Sequence, residues 1–158
     1  MNTTVNANLF SRLFDKLDDP GRLAIEELDG SRISYADLIA RAGQIANVLV
    51  ARGVKPGDRV AAQTEKSVSG LVLYLATVRA GAVYLPLNTA YTLNELDYFI
   101  TDAEPSLVVC DPSKGRGYRY DRDQGRRESG DARPGRRGLA DGGRRQREAG
   151  ICDGGARQ

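Results

Sequence analysis

The sequence has no histidine and no tryptophan, two cysteines and one methionine. Without histidine there is no imidazole general base, no Ser-His or Cys-His nucleophile pair, and no imidazole metal ligand. The cysteines, Cys110 and Cys152, are too few for a four-thiolate zinc site and do not make a disulfide framework. Cys110 ends an apolar run and reads as a buried free thiol in a reducing compartment. No stretch reaches the roughly 18 apolar residues of a membrane-spanning helix. The first 17 residues lack a basic leader region, and Arg12, Asp15 and Lys16 interrupt their apolar residues, so they do not read as a signal peptide. The expectation is a soluble, cytoplasmic protein with no membrane partner. No G-x-G-x-x-G follows any candidate strand, and Thr64-Glu65-Lys66-Ser67 contains no glycine. Dinucleotide and Walker-type phosphate loops are thereby excluded from these residues.

What the chain does have is divided unevenly. Residues 1–112 carry 10 Lys+Arg against 14 Asp+Glu, net −4, whereas residues 113–158 carry 13 against 7, net +6. The second segment holds 12 Arg and 11 Gly, with Leu139 and Ile151 its only aliphatics larger than Ala, so it cannot build a core. We therefore read two parts: a folded domain over 1–112 and a disordered basic tail over 113–158. The tail superficially resembles Arg/Gly-rich RNA-binding segments, but only Tyr118 and Tyr120 are there to stack on bases. No specific nucleic-acid partner is read from it. Salt-sensitive binding from charge alone is all it implies.

The domain is organised around Thr64–Leu87. Leu71–Leu75 and Val78 form its most apolar run, which Gly81 stops. Length favours a helix over a strand, and residues apolar nearly all round it call for burial on more than one side. Val83–Leu87 reads as a strand closed by Pro86. Before this, Leu9, Leu13, Phe14 and Leu17 make an apolar stripe with Phe10 beside it, a packing helix over about Asn6 to Asp18. Leu23–Leu28 and Ser31–Ser34 flank Asp29-Gly30, a hairpin signal in which both central residues take φ > 0. Ser34 with Asp37 reads as a variant capping box, opening a helix that Gly53 ends. Arg59–Gln63 is a candidate strand. Thr92 and Glu95 form a second capping box, and that helix ends near Ala103. Leu107–Cys110, between Pro105 and Pro112, is a third buried strand. Strand, helix, strand, helix, strand predicts an α/β fold: part of a doubly wound parallel sheet with helices on both faces. Leu107–Cys110 would end that sheet with an unpaired edge, which invites aggregation or self-association.

With those elements in place, a resemblance emerges. Asp58–Ala61 (D-R-V-A), Thr64–Ser67 (T-E-K-S), Ala76–Asn88 (A-T-V-R-A-G-A-V-Y-L-P-L-N) and Leu107–Asp111 (L-V-V-C-D) resemble the N-terminal part of an adenylate-forming acyl-CoA synthetase. Within that AMP-dependent synthetase/ligase family the likeness is to bacterial malonyl-CoA synthetases, carried by T-E-K-S and Leu87–Phe99 and running from about Asn6 to Lys114. The resemblance implies a two-step reaction: a short dicarboxylic acid attacks ATP to give an acyl-adenylate and pyrophosphate, and CoA then displaces AMP. Mg²⁺ and a Gly/hydroxyl phosphate loop would hold the triphosphate. No such loop occurs in this sequence, nor does a Tyr-Gly-x-Thr-Glu segment. No catalytic, cofactor-binding or metal-binding residue transfers onto this chain, and no cofactor is expected in it alone. Lys66 could be a substrate cation, but a solvated lysine at a helix start is the better reading. The expectation is an inactive N-terminal part of a malonyl-CoA synthetase-like ligase. Two alternatives are a small non-enzymatic binding protein with a basic nucleic-acid or partner tether, and a module that regulates an intact ligase through the open sheet edge.

The tail's composition is what GC-rich coding DNA yields when misread. Codons for Gly117–Gly130 exist that, one base later, read G-I-A-T-I-A-T-K-V-G-A-R-V, an Ala/Ile-rich helix rather than an Arg-rich tail. We expect residues from about Gly115 onward to be out of frame. Resequencing the locus checks this: the shifted frame should continue into a Ser/Thr/Gly-rich loop, and early stops in that frame would show the tail to be genuine.

Overall fold

The computed structural model describes residues 6–111. The tail expected over 113–158, with Tyr118, Tyr120 and Cys152, and the bounding Pro112 lie outside the described residues.

The chain opens with α1 (Leu9–Phe14), capped by Asn8, whose side-chain oxygen accepts from the Phe10 amide at 2.9 Å. This helix is shorter than the Asn6–Asp18 expected, and its packing face is different. Leu9 and Leu13 are exposed, while Phe10 is buried, 4.8 Å from the Phe14 ring. The Arg79 guanidinium lies 4.8 Å over the Phe10 ring, and the Asn8 amide donates to the Val78 carbonyl at 2.9 Å. These contacts to a distant helix rotate α1 so that the aromatics, not the leucines, face inward.

β1 (Leu23–Glu26) and β2 (Arg32–Ser34) form the expected antiparallel hairpin. Its turn departs from the expectation: only Gly30 has positive φ, at 86°. The Gly30 amide donates to the Glu27 carbonyl and the Glu27 amide to the Ser31 carbonyl, both at 2.9 Å. That is a three-residue loop, in which one left-handed residue suffices. Ser34 and Asp37 then form the reciprocal capping box that opens α2 (Tyr35–Ala51).

β3 (Arg59–Gln63), α3 (Val68–Arg79), β4 (Val83–Pro86), α4 (Leu93–Ala103) and β5 (Leu107–Cys110) follow. β3 pairs in parallel with β4 on one side and β5 on the other, Ala61 standing opposite both Leu85 and Val108. The side-chain alternation of β3 separates two layers. Val60 and Ala62 pack with Ala46 and Leu49 of α2 and Leu73 and Ala76 of α3. Ala61 packs on the other face with Leu96 and Ile100 of α4. The predicted α/β sheet with helices on both faces is what the chain forms.

Helix α3 is covered on two sides rather than all round. Leu73 and Ala76 face the sheet, Val72 and Leu75 face α1, α2 and the hairpin, and Leu71 is left exposed. Thr77 is fully buried within it and satisfied by donating to the Leu73 carbonyl at 2.8 Å. Gly81, at φ 75°, makes the left-handed step into β4; a Cβ there would also stand 3.3 Å from Pro56 Cβ. Thr92 and Glu95 form the second reciprocal capping box, at the start of α4.

Cys110 corrects a further expectation: it is disulfide-bonded, not a free thiol, with its partner outside the described residues. The reducing compartment inferred from a free thiol loses that support. Spacing along the sequence could not distinguish the two states, because a disulfide depends on approach in space. No helix among the described residues is long and apolar enough to cross a membrane.

Leu49, fully buried between α3 and the sheet, and Leu28, fully exposed in the hairpin loop, give a direct test of this core. Leu49→Ala should cost about 2–5 kcal/mol. Leu28→Ala should stay within about 0.5 kcal/mol. Urea unfolding of both variants beside the parent checks the contrast.

Candidate functional site

In parallel α/β sheets ligands gather at the carboxyl ends of the strands, where neighbouring strands connect in opposite directions. Here the chain leaves β3 for β4 on one side and returns past it to β5 on the other. The candidate site is therefore the rim formed by Gln63 and the Thr64–Ser67 loop, the Asn88–Tyr91 turn, and Cys110 with Asp111.

Gln63 closes β3 in register with Cys110 and is only 4% exposed. A buried amide must find partners, and its Nε2 donates to the Asn88 carbonyl at 2.9 Å. That carbonyl also accepts from the Tyr91 amide at 3.1 Å, and Asn88 Oδ1 accepts from the Ala90 amide at 2.9 Å. One of these bonds ties the turn after β4 to the end of β3, and the other two shape the turn itself. Tyr91 continues the link into α4 by stacking on Phe99, ring centroids 4.8 Å apart.

The loop after β3 is tied down as well. Burial raises the Tyr84 phenol above its ordinary pKa, while a hydrogen bond with the Thr64 side chain acts in the opposite direction. Tyr84 also meets Tyr74 edge-on at 5.3 Å. Ser67 caps α3, its hydroxyl oxygen accepting from the Gly70 amide at 3.1 Å. Lys66, the one residue the sequence offered as a substrate cation, lies exposed immediately before this cap. Its location is that of the solvated helix-start lysine.

Among the described residues every buried side-chain nitrogen or oxygen has a hydrogen-bond partner, and no group of three His, Cys, Asp or Glu could hold a metal ion. The rim's inward polar groups bond to one another, with none left aimed into a void. Sequence reading did not single out Gln63 or Asn88. The available signal was a lone amide ending the otherwise apolar strand Val60-Ala61-Ala62-Gln63.

Comparison with known proteins gives the following. The family described as AMP-binding enzyme matches residues 17–146, a span that runs past Pro112 into the Arg/Gly-rich segment. The crystal structure of apo MatB from Rhodopseudomonas palustris is 79% identical, with a TM-score of 0.70, over 72% of this chain and 22% of that one. The ATP-bound MatB structure from the same organism is 80% identical, with a TM-score of 0.68, over 70% of this chain and 22% of that one. Malpinin synthetase of Mortierella alpina is 39% identical over 100 residues, 63% of this chain and 1% of that protein. The chain thus spans about a fifth of the MatB structures and a small fraction of the synthetase.

Replacing Gln63 by Leu keeps the side chain's bulk and removes the donor to Asn88. The expected cost is about 0.5–1.5 kcal/mol, with faster amide exchange in the Asn88–Tyr91 turn. Lys66→Ala should change stability by no more than about 0.5 kcal/mol. Urea unfolding with amide exchange on both variants measures this.

Proposed function

The chain belongs to the AMP-binding enzyme family, and from that premise we propose that residues 1–112 are the N-terminal scaffold of a malonyl-CoA synthetase-like ligase. The whole ligase would join a short dicarboxylic acid to CoA, with ATP going to AMP and pyrophosphate. The observation that carries this reading is the 79% identity to MatB over 72% of the chain, at a TM-score of 0.70. The division between this scaffold and a separate segment after residue 112 is proposed from the change in composition and charge.

Residues 1–158 on their own are proposed to be inactive. Adenylation needs donors that cradle a triphosphate and a cation that meets the charge developing in the transition state. Two observations support this reading: among the described residues the buried side-chain polar atoms are already satisfied within the chain, and no group of three His, Cys, Asp or Glu could hold a metal ion. The segment's part in the larger enzyme would be to fix the ends of three strands relative to one another, through Gln63 and Asn88. A cytoplasmic location is proposed with the rest of this reading.

Incubation of the purified chain with malonate, CoA and Mg-ATP should release no more pyrophosphate than buffer does. Release well above that control, from protein freed of host ligases, would overturn the proposal of inactivity.

A further inference from the structure

The loop between β1 and β2 sets a carboxylic acid beside an unshielded amide. Among the described residues Asp29 is the one aspartate that precedes a glycine. Gly30 has no side chain to cover its backbone nitrogen, and a Cβ built there would meet nothing within 4 Å. Every residue from Glu26 to Arg32 is exposed, and Leu28 is fully so. Water therefore reaches the Asp29–Gly30 peptide freely.

The Asp29 side chain is folded forward along the chain. Its Oδ1 accepts from the Ser31 amide at 2.9 Å, reaching past Gly30. A turn of this kind lays the carboxyl group over the peptide that follows it, so the Asp29 Cγ and the Gly30 nitrogen are neighbours before any bond forms. What opposes their reaction is the hydrogen bond from the Gly30 amide to the Glu27 carbonyl, at 2.9 Å. That bond sits at the exposed tip of a two-stranded hairpin, where local opening costs least.

We propose that Asp29 is a site of spontaneous isoaspartate formation in the folded chain. The Gly30 nitrogen gives up its proton and bonds to the Asp29 Cγ, and a carboxyl oxygen leaves as water. The product is a five-membered succinimide ring. Water then adds to one of the two ring carbonyl carbons, and the bond from that carbon to nitrogen breaks. Opening at Cγ restores aspartate. Opening at the main-chain carbon leaves the chain running through Cγ, which is isoaspartate. The water lost is regained, so the change is an isomerisation and needs no oxidant, reductant or cofactor.

The backbone and side-chain hydrogen bonds from Ser31 hold the Asp29 carboxyl below its ordinary pKa. Water leaves from the protonated acid, so these bonds keep the conversion slow, and it accumulates as the protein ages. Isoaspartate adds one backbone carbon to a three-residue loop closed by the Gly30-to-Glu27 and Glu27-to-Ser31 bonds. The strands that this loop joins carry Ile25 and Ile33 to the core shared with α2 and α3, so a loosened loop reaches a packed face.

The test ages the purified 158-residue chain in heavy-oxygen water, both folded and in urea, and then digests it with trypsin. Peptide Leu23–Arg32 isolates Asp29 from Asp141-Gly142 and Asp153-Gly154, which share the dipeptide. In the folded chain this peptide should gain an isomer that carries one heavy oxygen and accepts a methyl group from isoaspartyl methyltransferase. The other described aspartates should yield none. In the aged protein the Glu27 and Gly30 amides should exchange about ten-fold or more faster, with the Ala61 amide unchanged. Asp29→Glu, which could close only a six-membered ring, should abolish the isomer while the Ala61 amide stays protected. Conversion confined to the urea-unfolded chain would overturn the proposal, as would its absence from both samples. An isomer without heavy oxygen would also overturn it, because no succinimide would then have been hydrolysed. None of these outcomes depends on pyrophosphate release, so failure here is separate from failure of the proposed inactivity.

Discussion

The structure depends on the pairing of β3 with a strand on each side. Val60, Ala61, Ala62 and Gln63 are all at or below 4% exposure, so this strand is enclosed by both helical layers as well as by β4 and β5. The two alanines let those layers approach closely: Ala61 meets α4, and Ala62 meets α2 and α3. Interiors pack at crystal-like density, so larger side chains here would push the layers apart along their whole length. The loops at the carboxyl end inherit their positions from this strand, because each leaves from, or bonds to, a residue held in its register.

Features encoded within a few residues were legible from the sequence. Ser34 with Asp37 and Thr92 with Glu95 both form the capping boxes their spacing announces. Arg59–Gln63 is a strand over the residues expected, because an apolar run between turn residues has few alternatives. Features decided by distant partners were not. The face that α1 buries is set by Arg79 over Phe10 and by Asn8 reaching Val78, contacts 69 and 70 positions apart in the chain. The state of Cys110 likewise depends on a partner beyond the described residues. At the rim, Gln63 and Asn88 are 25 residues apart, and neither belongs to a motif whose spacing would pair them. The hairpin lies between these cases: Asp29-Gly30 marked its position, but the hydrogen bonds of Glu27 decided its loop length.

The rim and the open edge of the sheet differ in how their polar groups are committed. Polar groups at the carboxyl ends are already committed to partners within the segment, Gln63 to Asn88, Thr64 to Tyr84 and Ser67 to Gly70. Using the buried Gln63 amide donor for a ligand would mean breaking the bond that holds the Asn88 turn, and a buried group left unpaired costs about 1–3 kcal/mol. Backbone groups on the open side of β5 carry no such commitment among the described residues, and the side chains around them are buried as in a sheet interior. Among the described residues, the backbone groups without a strand partner therefore lie along this edge, while the buried side-chain polar atoms are all paired.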